Sequence, residues 1–225
     1  MASNSWYKSF AELSASEREG ISYRRIVKKR GSGSGLGIIA PHGGGIEPGT
    51  SEIARAIAGF LFSYYTFDGL KEEGNEILHI TSTLFDEPEC LQLVNDSEIA
   101  VAIHGCDSDE KAIYVGGLHD ELKTRLINAL VKEGFDARSA EANYAGTQSQ
   151  NVCNRGCSGR GVQLELSDGL RRTMFKAFDR EGRKFTTDVF QKFVASVHKE
   201  LESIAKDIKR RPHYYLTCFD RPEEQ

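Results

Sequence analysis

The sequence predicts an α/β domain with a central sheet covered by helices on both faces. Three observations predict it. Short apolar runs of strand length alternate with longer stretches whose apolar residues recur at helical spacing. The length of 225 residues suits a single such domain. We read it as spanning 1–225, with a helical lead-in over 1–20 and a polar tail over 219–225. The composition, 39% hydrophobic and 28% charged, is that of an ordinary globular chain that needs no disulfide staples.

The elements follow in order. Residues 9–20 read as a short helix with Ser9 as its cap, and "GSGSG" at 31–35 as a tight turn or small linker. "LGIIA" at 36–40 is a strand. Pro48 and Gly49 make a turn, after which Thr50 or Ser51 caps a helix over 51–64 with Ile53, Ile57, Phe60 and Leu61 on its inner face. "ILHITS" at 77–82, "EIAVAIHG" at 98–105 and "KAIYVGG" at 111–117 are further strands. A helix over 119–133 carries Leu122, Leu126, Ala129 and Leu130. "GVQLELS" at 161–167 alternates as a strand. An amphipathic helix over 186–209 has Val189, Phe190, Phe193, Val197, Leu201, Ile204 and Ile208 in its stripe, and "YYLTC" at 214–218 is a candidate last strand. Ligands of such sheets gather beyond the carboxyl ends of the strands. His42, His104 and the Ser167–Asp168 turn lie just past such ends.

Charge and cysteine usage exclude several classes. The net charge of −4 speaks against nucleic acid as the main partner, although Arg24, Arg25, Lys28, Lys29 and Arg30 form a local basic run. Five cysteines without a CxxC pair read as reduced thiols of a cytosolic protein. "MASNSWYKSF" has no signal-peptide pattern, and no apolar run is long enough to span a bilayer. We therefore expect cytoplasmic synthesis, with release by cell lysis left open.

The stretch "APHGGGIEPGT" carries the chemistry. "GLGIIA" at 35–40 fits a dinucleotide fingerprint in letters, but its glycines precede the apolar run instead of following it. "HGGG" at 42–45 is spelled like a lipase oxyanion loop, yet the chain has no GxSxG elbow. A metal site is the third reading. Of six histidines, His42 and His104 each end a predicted strand and each precede a glycine. His79 reads as a core or face residue within a strand, His119 as a helix-start residue, His198 as solvated and His213 as a loop residue after "KRRP". Glu47 lies five residues beyond His42 on a glycine-softened loop. Two imidazoles, one carboxylate and an open position compose a catalytic zinc site, although H-x4-E on a loop does not fix the geometry as HExxH on a helix does. Glu165 is either a solvent-facing strand residue or a general base. Asn154, Arg155 and Arg160 occupy a glycine-rich loop, as solvated groups or as a carboxylate grip.

"APHGGGIEPGTSEIARAIAG", "LHITSTLFDEP", "AIHG", "YVGGL", "NVCNRG" and "GVQLELSDGLR" together resemble the poly-γ-glutamate hydrolase family of bacteriophages and bacilli, over residues 20 to 200. The resemblance implies a mixed, mostly parallel sheet like that of the zinc carboxypeptidases, with one zinc ion held by His42, Glu47 and His104. It also implies Glu165 as the catalytic base, since "ELSD" is similar to the carboxypeptidase "ELRD". It further implies Asn154 and Arg155, with Arg171 sharing the role, as the grip on a substrate carboxylate. The pattern departs from carboxypeptidases in having H-x4-E for H-x2-E, and an Asn-Arg pair after the third ligand. The expected partner is the poly-γ-glutamate polymer, with no nucleic acid and no membrane, and the chain acts as a monomer. A zinc amidohydrolase of small N-acyl amino acids and a non-catalytic binding module remain the alternatives.

Overall fold

The computed structural model describes residues 6–30 and 35–210. The linker at 31–34, the strand expected at 214–218 and the tail at 219–225 lie outside the described residues.

Seven strands form one mixed sheet in the order β1-β3-β2-β4-β7-β5-β6. They are β1 (Tyr23–Lys28), β2 (Leu36–Gly44), β3 (Ser63–Gly69), β4 (Ile99–Cys106), β5 (Ala112–Gly117), β6 (Asp136–Ser139) and β7 (Val162–Ser167). The central strands β3, β2, β4 and β7 run parallel, while β1 and β5 run antiparallel to β3 and β7. Strands β2, β4 and β7 are buried almost throughout, and β2 and β4 are mostly apolar, as suits strands covered on both faces.

The helices are α1 (Phe10–Ser16), α2 (Thr50–Ala58), α3 (Pro88–Asn95), α4 (Asp120–Lys132), α5 (Asp168–Thr173) and α6 (Asp188–Lys209). Residues of α2, α4 and α6 pack on one face with Ile38, Ala40, Val101, Ile103, Leu164 and Leu166 of the strands. The apolar stripe of α6 buries Phe193, Val197, Leu201 and Ile208 completely. On the other face α1, α3 and the loops pack with Ile39, Ala100 and Ala102. The alternation of the strand residues therefore decides which face each side chain reaches.

Three expectations are corrected. The second helix ends at Ala58, because Gly59 adopts a φ of 53°. Phe60 is then 93% exposed instead of lying on an inner face. The residues beyond it, "SYYTFDG", are aromatic and β-forming and make strand β3 beside β2. Because β3 fills that place, the segment predicted as a strand at 77–82 is a 3-10 turn (Asn75–Leu78) followed by irregular chain. Leu78 and Ile80 are still fully buried there, so the apolar letters reported burial and not pairing. The basic run begins in the edge strand β1, and three of its five charges are met by acids: Arg24 by Asp68 at 2.9 Å, Arg25 by Glu19 at 2.7 Å and Glu87 at 2.9 Å, and Lys29 by Asp96 at 3.2 Å. Among the described residues no helix is long and apolar enough to cross a membrane.

Strand β2 connects through α2 to β3 on one side, and its other neighbour is β4. The carboxyl ends of β2 and β4 are thus a point where the connections diverge, the usual place for a ligand crevice in such sheets.

Candidate functional site

His42 and His104 stand at that point. Plain alternation from Ile38 and Ala40 would aim His42 at the α2 face. The pairing of β2 with β3 slips between Ala40 and Gly43, where three steps on β2 match two on β3. That irregularity turns His42 to the opposite face, toward His104. Gly43 and Gly44 make the turn possible. A Cβ on Gly43 would collide with the Ser51 and Asp68 side chains, and Gly44 has a φ of 65° against the backbone of Gly69. The Glu47 N–H then donates to the His42 carbonyl at 2.8 Å, closing the loop so that the Glu47 carboxylate returns to the imidazole.

His42 Nδ1 lies 3.0 Å from Glu47 Oε1 and 3.1 Å from His104 Nδ1, and Glu47 Oε2 lies 3.5 Å from His104 Nδ1. His42 Nε2 is 2.7 Å from the Ile80 carbonyl, which can only accept. Nε2 therefore carries the proton, and in the neutral ring Nδ1 offers a lone pair. That lone pair faces a carboxylate oxygen and a second ring nitrogen. Such a crowd of acceptors is relieved only by a proton or a cation between them, so the donor set fits a metal ion. The outer contacts hold the ligands in the manner of a metal site: Ile80 behind His42, Ser82 Oγ 3.3 Å from His104 Nε2, and the Gly105 N–H donating to Glu47 Oε2 at 2.8 Å. Burial opposes the charge on Glu47, but the His42 and His104 imidazoles prevail and hold it well below the usual carboxylate range. Burial likewise opposes charge on His104, yet Glu165 and Glu47 raise it above the usual imidazole value.

Glu165 is the register partner of His104 on the adjacent parallel strand, one strand spacing away on the same face. It is 9% exposed and not solvent-facing. Burial first, and the charge of Glu47 with it, raises its pKa to about 7 against the lowering effects of His104 and Arg171. Gln163 Nε2 donates to Glu165 Oε1 at 3.1 Å and is itself held by Asn151 at 2.9 Å. Gln163 had no signal in the sequence beyond its place two residues before Glu165.

His79 was also missed. Its ring lies over that of His42 with centroids 3.9 Å apart, and its Nε2 is 3.8 Å from Glu47 Oε1. The ligand atoms of His42, Glu47 and His79 all lie within 4.8 Å of one another, so His79 competes with His104 for the third position. Of the two rings, His104 is the nearer to the Glu47 carboxylate, at 3.5 Å against 3.8 Å. Burial and the neighbouring His42 lower the His79 pKa to about 3, which keeps this ring neutral.

The residues expected to grip a substrate carboxylate donate to backbone carbonyls in this structure. Arg155 donates to the carbonyls of Gln150, Phe85 and Thr83 at 2.8–3.1 Å. Arg171 donates to those of Leu166 at 3.0 Å, Pro48 at 2.6 Å and Cys106 at 3.3 Å. Asn154 is buried, donates to Gly146 and Gln148, and accepts from Gly161. Arginine in particular can satisfy several carbonyls at once, and here it pins loops. Arg171 ties the Glu47–Pro48 turn to the ends of β4 and β7, so it supports the site from beneath.

The fold and site define an α/β protein with a His/Glu/His cluster at the carboxyl rim of a mixed sheet. The family model described as poly-gamma-glutamate hydrolase matches residues 7–196. The chain belongs to that family. It is 40% identical over 199 residues to the SPbeta prophage-derived UPF0714 protein YoqZ of Bacillus subtilis (strain 168), covering 86% of this chain and 70% of YoqZ. Among solved structures, a bacteriophage poly-gamma-glutamate hydrolase superposes with a TM-score of 0.87 at 32% identity, covering 90% of this chain and 99% of that one. YndL in a zinc-free apo form superposes with a TM-score of 0.85 at 34% identity, covering 89% and 99%.

Proposed function

We propose that the protein is a zinc-dependent hydrolase of the γ-glutamyl amide bonds of poly-γ-glutamate. The convergence of the His42 and His104 Nδ1 atoms on the Glu47 carboxylate, with Glu165 in register beside His104, carries the reading. That YndL is described in a zinc-free form supports zinc as the ion. His42, Glu47 and His104 would hold one ion, which when bound supplies a Lewis acid and lowers the pKa of water to about 7.

The chain's own groups do the rest. Glu165 accepts a proton from the attacking water and returns it to the departing amide nitrogen. Gln163 fixes the carboxylate for both transfers. Arg171 keeps Glu47 in place without touching substrate. Neutral His79 flanks the His42 ring and limits the room above it.

The test is incubation of the purified protein with poly-γ-glutamate, with and without chelator, followed by sizing of the products. Shortened polymer that requires the metal is expected. An intact polymer with zinc-loaded protein, or cleavage that survives chelation, overturns the reading.

A further inference from the structure

The face that holds the cluster continues past Glu165. Strand register places His104 opposite Glu165, Glu165 opposite Tyr114 and Tyr114 opposite Arg138, so these side chains form one row across β4, β7, β5 and β6. Their neighbours Ile103, Leu164, Leu166, Ile113 and Val115 point the other way, into the core under α2, α4 and α6. Tyr114 is therefore one strand spacing, about 5 Å, from Glu165 on the side away from His104.

Tyr144 completes this side. Its ring stacks on that of Tyr114 with centroids 5.4 Å apart and planes 25° apart. The Arg138 guanidinium lies 5.6 Å from the Tyr114 centroid and is itself held by Glu110 at 3.0 Å and Asp136 at 2.9 Å. Glu110 also accepts from the Tyr114 hydroxyl at 3.2 Å. The Tyr144 hydroxyl is hydrogen-bonded with the side chain of Cys106, two residues beyond His104 on the same face. The Tyr144 side chain thus spans the end of β7, from Tyr114 on β5 to Cys106 on β4, and bounds the space over Glu165. Burial first, and then the nearby Cys106 and Glu165 groups, raise the Tyr144 pKa, so its ring carries no charge. Both tyrosines are half-buried and keep part of their surface open.

The loop that presents Tyr144 is fixed from several sides. Gln163 Nε2, which holds the Glu165 carboxylate, also donates to the Tyr144 carbonyl at 3.0 Å. The Gly117 N–H donates to the Ala145 carbonyl at 2.8 Å, and Asn154 Nδ2 to that of Gly146 at 2.8 Å. A Cβ on Gly116 would collide with the carbonyls of Tyr144 and Ala145. Ala142 has a φ of 47°, the only non-glycine residue with positive φ among the described residues. Strain of this kind is retained where the surrounding structure over-determines a segment.

We infer that the stacked Tyr144–Tyr114 pair is the wall beside Glu165 against which a glutamyl unit of the substrate lies, and that Tyr144 selects the γ-linkage. The inference rests on the function proposed above. In a γ-linked chain both methylenes of each unit lie in the main chain, between one amide and the next, and the carboxylate projects sideways. An uncharged aromatic face beside the reacting amide suits those methylenes. In an α-linked chain the methylenes are in the side chain, and the main chain brings an amide to the same place, where a ring face leaves its polar groups without partners. Since Gln163 touches both Glu165 and the Tyr144 carbonyl, wall and base keep a fixed spacing.

The experiment uses the full chain in a Glu165→Gln background and measures, by isothermal titration, binding of a γ-linked glutamate oligomer and of its α-linked isomer of the same length. The isomers carry equal charge, so a difference between them reports the linkage. The parent is expected to bind the γ-linked isomer about tenfold tighter or more. Tyr144→Ala is expected to lose about fifteenfold in affinity for the γ-linked isomer, the worth of two buried methylenes, and less than about threefold for the α-linked one. Tyr144→Phe keeps the ring and is expected to stay within about twofold of the parent for both. Thermal unfolding and bound zinc identify a variant that fails to fold; Tyr144→Leu then gives the same readout, with a smaller loss confined to the γ-linked isomer. An unchanged γ-over-α preference in the folded alanine or leucine variant, no preference in the parent, or an equal loss in Tyr144→Phe overturns the wall. A wild-type protein that prefers the γ-linked isomer yet never cleaves it sinks the hydrolase reading and leaves the wall standing. A cleaving enzyme whose KM does not move on Tyr144→Ala does the reverse.

Discussion

Glu165→Gln has opposite expected effects on activity and on stability. Glutamine keeps the shape of the side chain and can still accept from Gln163, which lies 3.1 Å away. It cannot take a proton from water. Loss of a general base costs typically 10²–10⁴-fold in rate, about 3–5 kcal/mol of transition-state stabilisation. The stability effect follows from the rise of the Glu165 pKa from 4.5 to about 7. The folded-state value is the higher one, so the unfolded chain loses its proton first. Stability is then full below pH 4.5 and falls as pH rises toward 7. The rise corresponds to about 3 kcal/mol. Because the group is only 9% exposed, little of this is screened by solvent. The neutral glutamine has no such penalty. Urea unfolding of chelated protein at pH 4.5 and pH 8 checks this: the variant gains about 3 kcal/mol over wild type between the two. Turnover of zinc-loaded protein checks the catalytic half. A variant that remains active, or that shows the same pH dependence of stability as wild type, refutes the assignment of this buried carboxyl as the base.

Three further predictions concern the surroundings. His42→Ala, Glu47→Gln and His104→Ala should each reduce bound zinc below one per chain by elemental analysis, whereas His79→Ala should retain the ion; the reverse pattern would transfer the third ligand to His79. Arg155→Ala should lower stability by about 1–3 kcal/mol in denaturant titration, because charged hydrogen bonds to three loop carbonyls are lost, with little effect on KM; a raised KM at unchanged stability would restore its role in substrate binding. Gly43→Ala places a methyl group against Ser51 and Asp68 and should lower zinc affinity by shifting the loop that returns Glu47, which isothermal titration reads directly.

What the sequence could reveal divides along a physical line. Periodicity reports burial, and it placed β4, β5, β7, α4 and α6 within a residue or two of their positions. It failed where burial and pairing part company. Ile77, Leu78 and Ile80 read as a strand because they are apolar, yet among the described residues their backbone pairs with no strand, since β3 already occupies the edge of β2. The bonds that make or unmake a strand belong to the neighbour, and a single segment does not display them. The site divides in the same way. His42, Glu47 and His104 announced themselves as potential ligands by residue type and position at strand ends. Their meeting depends on a one-residue irregularity in β2, and the role of Glu165 depends on its register opposite His104. Residue type alone did not show what Arg155 and Arg171 touch, because a guanidinium that pins carbonyls is spelled like one that binds substrate. The chain distinguishes the two uses only through what the folded backbone brings within 3 Å. At Arg171 that includes the carbonyl of Pro48, 123 residues away and next to Glu47. Arg171 thus holds the turn that carries Glu47, and its replacement should lower bound zinc by elemental analysis before it weakens binding of the polymer.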